Sequence, residues 1–499
     1  MEVNTMKQKP ENETNPRTPS HLPEALEQWH EDGQFQNIID AIEALPREQQ
    51  TPELTSQLAR AYNNLAEPGD RHLFKKAVEL LESVEKEYAG EHDWNYRMGY
   101  ALYYLDQESK ARYYFEKALE YRPEDGDTLE MISLCRKALT LPNAMKPFCE
   151  RVKEGWQSFL EGEGRLRELL DAKQGGEQVA GLCHQLLSPA FAGLYFEVGR
   201  NGSKYDLILS PEGDKSRIFK LKYFMEHAPK EVHQNWNILV GRQPANGFVL
   251  RMFDRDIGTE DARVWVEELD DKQIGLSIYC EKLLPLLKEN ENQAYGLMSV
   301  LLDQAIGEIP AIRYVGYMDL LETPQEGEDI CLADLLEYIK KDREIVTADQ
   351  MCQWYSAYEM KPSEEEGWDL REDVYAGVTT CIPVVSAYYR GDDGIMEDFH
   401  QDGAVPGFFY YPLDGIPRNQ ILDLRDKLEQ EISGKCGDAV VFTGGATGTE
   451  CGYLDFIAWD LTAVLNAAVE VFRNLPVKEA LFHTFRRNAG SIRIKKEEA

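Results

Sequence analysis

The chain has 499 residues, 43% of them hydrophobic and 10% aromatic against 28% charged, which is enough apolar material for packed cores and too much for a disordered chain. That length exceeds one hydrophobic core, and roughly 100 to 200 residues per domain gives about three domains. Lys and Arg number 54 against 88 Asp and Glu, a formal charge of −34 that repels phosphate backbones and anionic lipid, so nucleic acid and membrane are poor candidates for the main partner.

Residues 1–19 are polar, carry no apolar run of the signal-peptide kind, and read as a disordered tail. No later stretch reaches the roughly 18 uninterrupted apolar residues of a membrane span. Nine cysteines run from Cys135 to Cys451 with no pair at the two-residue gap of a zinc or redox motif. A cytoplasmic protein with reduced thiols, no cofactor and no bound metal is expected.

The clearest periodicity lies at 92–123, where Met98, Gly99, Leu102 and Leu105 fall on one helical face and Ala111, Phe115, Ala118 and Leu119 on the next. Small residues at Gly99, Ala111 and Ala118 let two antiparallel helices approach, Phe115 fills the gap, and Pro123 stops the second helix. Leu58, Ala59, Tyr62 and Leu65, then Ala77, Leu81 and Val84, repeat the pattern with an insertion at 67–74. An earlier copy contains Leu26, Trp29 and Gly33, then Phe35, Ile38, Ile42 and Leu45, cut short by Pro46. Leu129 and Ile132 begin a further helix that reads as a cap. This order of small and large positions with a closing proline resembles the tetratricopeptide repeat family over about residues 22–140, although Trp94 stands one place early for its tryptophan.

The resemblance implies that the first helix of each hairpin lines a groove that holds a protein or peptide partner. By register the facing residues are Arg60, Asn63 and Asn64, then Tyr96, Arg97, Tyr100, Tyr103 and Tyr104. Rings contribute contact area at little rotamer cost while amide and guanidinium donors meet backbone carbonyls, which suits an extended or helical peptide. The alternative is that the tyrosines pack against the next domain.

Past residue 141 the periodicity changes. Helices are predicted at 147–160, 165–173 and 177–187, then a hairpin of 193–198 and 204–209 around Gly199-Arg200-Asn201-Gly202, a helix at 215–227 and a strand at 235–240. The same order returns as strands 262–267 and 275–279, a helix at 293–306 and a strand at 312–317. It returns again as strands 439–443 and 452–459 around a turn at 444–448, a helix at 461–472 and a strand at 478–483, with an incomplete copy running from Val374 through 408–411 to a helix at 418–432.

The expected architecture is therefore an all-α helical-repeat domain at 20–145, a helical lead-in and first α+β domain at 146–320, an acidic helical connector at 321–369 with helices at 332–341 and 347–360, and a second α+β domain at 370–499. Both α+β domains are expected to have mixed or antiparallel sheets with helices on one face.

Several patterns invite chemistry. Gly444-Gly445-Ala446-Thr447-Gly448-Thr449 looks like a phosphate loop, but it joins two strands and lacks the lysine, so a hairpin tip is expected. Asp392, Asp393, Glu397, Asp398, His400 and Asp402 sit in one loop-like stretch, without the twelve-residue calcium spacing, and an acidic surface loop is expected. Cys183 and His184 are adjacent on a helix and point about 100° apart, so they cannot act as nucleophile and base. Asp460 is placed to cap a helix, and Asp206 and Asp455 interrupt strands fit for burial, where alternation would turn each to solvent. The leading expectation is a cytoplasmic interaction or regulatory protein, and not an enzyme, that binds a polypeptide through its helical repeats. The alternative is an enzyme, such as a metal-assisted hydrolase, with its site in the last domain.

Overall fold

The computed structural model describes residues 22–144, 146–172, 176–245, 247–252, 255–365 and 367–496, and the expected tail at 1–19 lies outside them. The chain forms two compact units, divided between Leu139 and Thr140.

The first unit is a run of antiparallel helical hairpins: α1 (Leu22–Glu31) with α2 (Phe35–Glu43), α3 (Pro52–Leu65) with α4 (Arg71–Ser83) and its short extension α5 (Glu85–Tyr88), and α6 (His92–Tyr104) with α7 (Glu108–Tyr121), followed by α8 (Gly126–Thr140). Thr51 starts α3 by accepting the Leu54 amide, with Pro52 in the first turn where its missing N–H is no loss. Ala77, Ala111, Phe115 and Ala118 are fully buried, and a Cβ at Gly99 would run into the Phe115 ring. Close approach at Gly99 is thus what the hairpin of α6 and α7 depends on.

The second unit opens with α9 (Phe148–Asp171), one helix where two were expected, and α10 (Gly176–Leu187). A three-stranded sheet follows: β1 (Tyr195–Asn201) pairs antiparallel with β2 (Lys204–Ser210), and β3 (Trp236–Val240) returns parallel to β2 after α11 (Lys215–Glu226) and α12 (Val232–Asn235). The hairpin of β4 (Val249–Met252) and β5 (Arg255–Gly258) was not anticipated. Then the pattern repeats. β6 (Arg263–Glu268) pairs antiparallel with β7 (Ile274–Tyr279), and after α13 (Leu284–Glu289), α14 (Glu291–Ile306) and α15 (Glu308–Tyr314), β8 (Val315–Leu320) lies parallel to β7. The repeat seen in the sequence is therefore one of pairing direction as well as element order, although α15 occupies the start of the strand expected at 312–317.

β9 (Ile330–Cys331) edges that sheet, and α16 (Leu335–Ile339) and α17 (Ala348–Gln353) lead to β10 (Ser356–Glu359), which replaces the end of the helix expected at 347–360. The remaining elements are β11 (Val374–Thr379), α18 (Ile382–Arg390), α19 (Gly394–His400), β12 (Val405–Pro412), α20 (Ile421–Cys436), β13 (Val440–Gly448), β14 (Cys451–Ala458), α21 (Leu461–Arg473), β15 (Ala480–Thr484) and β16 (Ile492–Lys495). Their seven strands lie in the order β10-β11-β13-β14-β12-β15-β16 with every pairing antiparallel. β12-α20-β13 and β14-α21-β15 are thus two interleaved split β-α-β units, a ferredoxin-like arrangement extended at both edges.

Both faces of this sheet are buried. Phe409, Tyr411, Leu454 and Phe456 meet Leu428 and Ile432 of α20 and Val464, Ala468 and Phe472 of α21 in one core. The alternate residues Phe408, Tyr453 and Ile457 join a core that runs continuously from Phe148 and Trp156 through Leu207 and Leu276 to Phe485. The boundary expected near 370 therefore does not separate independent bodies, because residues from 148 to 485 share that core.

Buried ion pairs tie it together. Arg371 and Asp455, neither with any exposed side chain, are joined at 2.7 and 3.1 Å, and Arg371 also donates to the Tyr358 hydroxyl at 3.0 Å. Asp455, expected to face solvent, is on the inner face because Leu454 and Phe456 take the other. We predict that Asp455→Ala destabilises the second unit by about 3–5 kcal/mol in urea unfolding, whereas Arg371→Met with Asp455→Leu recovers most of that loss.

A second network closes the ends of β2 and β3. Arg242 reaches Glu197 and Glu212 at 2.6 Å and Asp303 at 3.1 Å, while buried Glu308 accepts from Ser210 and from the Arg242 amide. Burial, then the nearby Glu308 charge, push the Asp303 carboxyl up to about 7, against an unfolded value near 3.9. The folded chain therefore holds a proton that the unfolded chain has released. The stability this group contributes is complete below about pH 4 and is lost as pH rises through 7. Asp303→Asn is expected to flatten that slope in melting curves taken from pH 5 to 8.

Candidate functional site

The face proposed to hold a ligand is built from α3 and α6, and the 34-residue repeat shows in its hydrogen bonds. Asn63 Nδ2 donates to the Arg97 carbonyl at 3.0 Å, and Arg71 donates to the Leu105 carbonyl at 3.1 Å and to Asp106 at 2.6 Å. Trp94 sits one place early for the repeat because its ring is buried and its Nε1 donates to the Leu81 carbonyl.

The candidate groove residues divide into two groups. Asn63 is buried, so it is a bridge between helices and not a surface donor, and its Oδ1 has no donor among the described residues. Asn64 beside it is exposed. Arg97 is half-buried and donates to Ser56 Oγ at 2.7 Å. Burial, then the charge of Arg60, pull its guanidinium down to about 10, which leaves it a cation at neutral pH. Arg60 has Glu27 at 3.9 Å, with that carboxylate 60% exposed, a pairing worth little in water. Ser56 and Glu27 were not singled out in the sequence, although Ser56 precedes Arg60 by one helical turn.

The tyrosines form a column along α6 at four-residue spacing. Ring centroids lie 6.0 Å apart from His92 to Tyr96, 6.3 Å from Tyr96 to Tyr100 and 4.9 Å from Tyr100 to Tyr104, and Phe74 stacks on Tyr104 at 5.0 Å. Tyr103 meets Tyr104 edge-on at 5.3 Å. All four tyrosines are half-buried against the helical core, so each has one side committed to packing. Burial raises the phenol pKa values of Tyr96, Tyr100 and Tyr103, and these hydroxyls stay neutral donors.

The candidates of the second unit resolve into structure. The run at 444–448 is not a hairpin tip but the end of β13, paired with β11 and β14. A Cβ at Gly444 would overlap the Val378 carbonyl, and one at Gly448 the Asp373 carboxylate. The stretch 392–402 is mainly helix α19, and its acids are drawn in two directions. Asp398 and Asp402 hold the buried Lys220 ammonium at 2.8 and 2.7 Å. Asp393 and Glu397 hold buried Arg486 at 3.1 and 2.9 Å, and His400 Nδ1 lies 3.2 Å from the same guanidinium. Burial, then that cation, drive the His400 pKa well below its ordinary value. Among the described residues no group of three or more His, Cys, Asp or Glu is arranged to hold a metal.

Cys183 is buried, its thiol pushed up to about 12, while His184 is exposed beside it. Asp460 caps α21 by accepting the Ala463 amide at 3.0 Å. Asp206 is half-buried and accepts from Asn201 and Asn237.

No family model matches the chain, and no curated protein matches it in sequence. Among solved structures, one described as showing the features by which the UNC-45 chaperone binds and folds muscle myosin is similar over 34% of this chain, at 15% identity and a TM-score of 0.21. The match spans 18% of that chaperone chain, and a likeness this slight carries no argument. No described helix is long and apolar enough to cross a membrane.

Two substitutions separate packing from surface on this face. Asn63→Ala removes the bridge to Arg97 and is expected to cost about 1 kcal/mol of helical-unit stability. Tyr100→Ala opens the ring column and is expected to cost about 2 kcal/mol or more. Thermal melts followed at 222 nm check both.

Proposed function

We propose that the N-terminal hairpins are a tetratricopeptide-type module that captures a partner polypeptide on the face made by α3 and α6, and that the protein is a cytoplasmic interaction or regulatory protein. The observation behind this is the combination of Arg60 and Arg97 on one face. Burial and then the Arg60 charge lower the Arg97 guanidinium, and Asp93, Glu91 and Glu27 offset this only in part, so negative charge from a ligand would stabilise the pair further. In a chain of net charge −34, that charge is the scarce commodity a partner's carboxylates would meet. Exposed Asn64 offers both a donor and an acceptor to a peptide backbone, and the outward sides of Tyr96, Tyr100 and Tyr103 offer apolar area.

The same net charge directs attention to a polypeptide and away from nucleic acid and anionic membrane. The acidic run offers little support to the enzyme alternative, because Asp398 and Asp402 neutralise Lys220 while Asp393 and Glu397 neutralise Arg486.

Affinity capture with the full-length chain, read by mass spectrometry, tests the proposal. Arg60→Glu with Asn64→Ala is expected to remove the captured partner while helical content stays at the wild-type level. Capture unchanged by that pair would sink the assignment of this face.

A further inference from the structure

The second unit contains an open cavity of about 550 Å³ beyond the C-terminal end of α21, between the chain that follows that helix and the edge strand β16. Its volume lies within the roughly 300–1,000 Å³ of small-ligand sites. Leu475, Val477 and Ile494 contribute apolar walls, and Arg473, Lys478, Lys495 and Lys496 contribute the charged ones. The lining contains four Lys or Arg and no acid, in a protein whose acids exceed its bases by 34.

Two of the four cations are already engaged. Lys478 is bound to Asp414 at 2.6 Å, and the Lys495 ammonium donates to the Leu475 carbonyl at 2.7 Å, where it offsets the negative end of the α21 dipole. Arg473 and Lys496 have neither a hydrogen bond nor an ion pair among the described residues, and both are exposed; Glu470, whose carboxylate feels the Arg473 charge, is bound to Lys435 at 2.7 Å. A structural role at the helix terminus accounts for Lys495 and leaves these two.

We propose that this cavity binds a small organic anion, its carboxylate, sulfonate or phosphate group between Arg473 and Lys496 and its apolar body against Leu475, Val477 and Ile494. The guanidinium offers a planar fork of donors and the ammonium a point charge, a pair that suits an oxyanion. The apolar walls distinguish such a ligand from an inorganic ion, which would leave them in water.

Calorimetry on the full-length chain with 2-naphthalenesulfonate, 2-naphthol and inorganic phosphate as separate probes tests this. The sulfonate is expected to bind one to one, with 2-naphthol and phosphate each about tenfold weaker or worse. Arg473→Ala with Lys496→Ala is expected to lower sulfonate affinity by about tenfold or more, and Arg473→Lys to retain most of it. Both changes are at exposed positions, and unchanged melting curves confirm that the variants are folded. Saturable binding that survives the double substitution, 2-naphthol binding as tightly as the sulfonate, phosphate binding as tightly as the sulfonate, or no saturation at all would each overturn the proposal.

Discussion

The buried pair of Arg371 and Asp455 is the constraint around which the second unit is arranged. An unpaired charge in a dry interior is ruinous, so once Arg371 is inside, its surroundings must supply a carboxylate and satisfy the rest of the guanidinium. Five side chains do so, leaving Nε without a hydrogen-bond partner among the described residues. Asp455 comes from β14, the Tyr358 hydroxyl from β10, and the rings of Phe408, Tyr453 and Phe485 lie 4.7, 4.9 and 5.2 Å from the guanidinium carbon. Tyr453 in turn donates to Asp373, whose other oxygen accepts the Glu450 and Cys451 amides and so fixes the turn between β13 and β14. A one-residue slip of β14 would put Asp455 into the apolar core under α20 and α21, so the pair specifies register as much as it contributes stability.

The same logic explains why 140–499 is one unit. Lys220 of α11 is held by Asp398 and Asp402, and Asp402 also accepts the Ala192 amide, so the first sheet's helix is tied to the segment leading into β12. Arg151 of α9 donates to the Gln401 carbonyl nearby. These are contacts between residues some two hundred positions apart, and each needs its partner at the same buried spot.

How much of this was legible follows from what is local. Hairpins such as β1 with β2 and β6 with β7 announce themselves by alternation around turn residues, and α14 and α21 by helical period, with Asn290 and Asp460 as their caps. Pairing order is not local: nothing within residues 480–484 shows that β15 pairs with β12 and β16, or that β12 intervenes between it and β14. The run 392–402 read as a surface loop because its acids resembled solvated charge, and only the distant Lys220 and Arg486 reveal them as counter-ions. The glycines at 444–448 read as a turn because glycine is common there, while the structure requires them where β11 and Asp373 crowd the strand. In the helical unit Asn63 was assigned to a surface when its 34-residue partner, the Arg97 carbonyl, holds it inside.

An acidic chain makes its cations informative. Here the interior uses them as staples: Arg242 among Glu197, Glu212 and Asp303, Arg371 on Asp455, Arg486 among Asp393 and Glu397, and Lys220 between two aspartates. With 88 acids competing for 54 bases, a cation left on the surface without a close carboxylate is unusual, since any acid within reach would lower its energy. Arg60, near Arg97 with the exposed Glu27 at 3.9 Å, and Arg473 with Lys496 beside a cavity of mixed apolar and cationic lining, where Glu470 is already bound to Lys435, come nearest to this. Where neighbouring cations are only partly countered by the fold, a ligand can bring further negative charge, and the surrounding surface indicates its kind: tyrosine faces and an exposed amide for a peptide, aliphatic walls for a small organic anion.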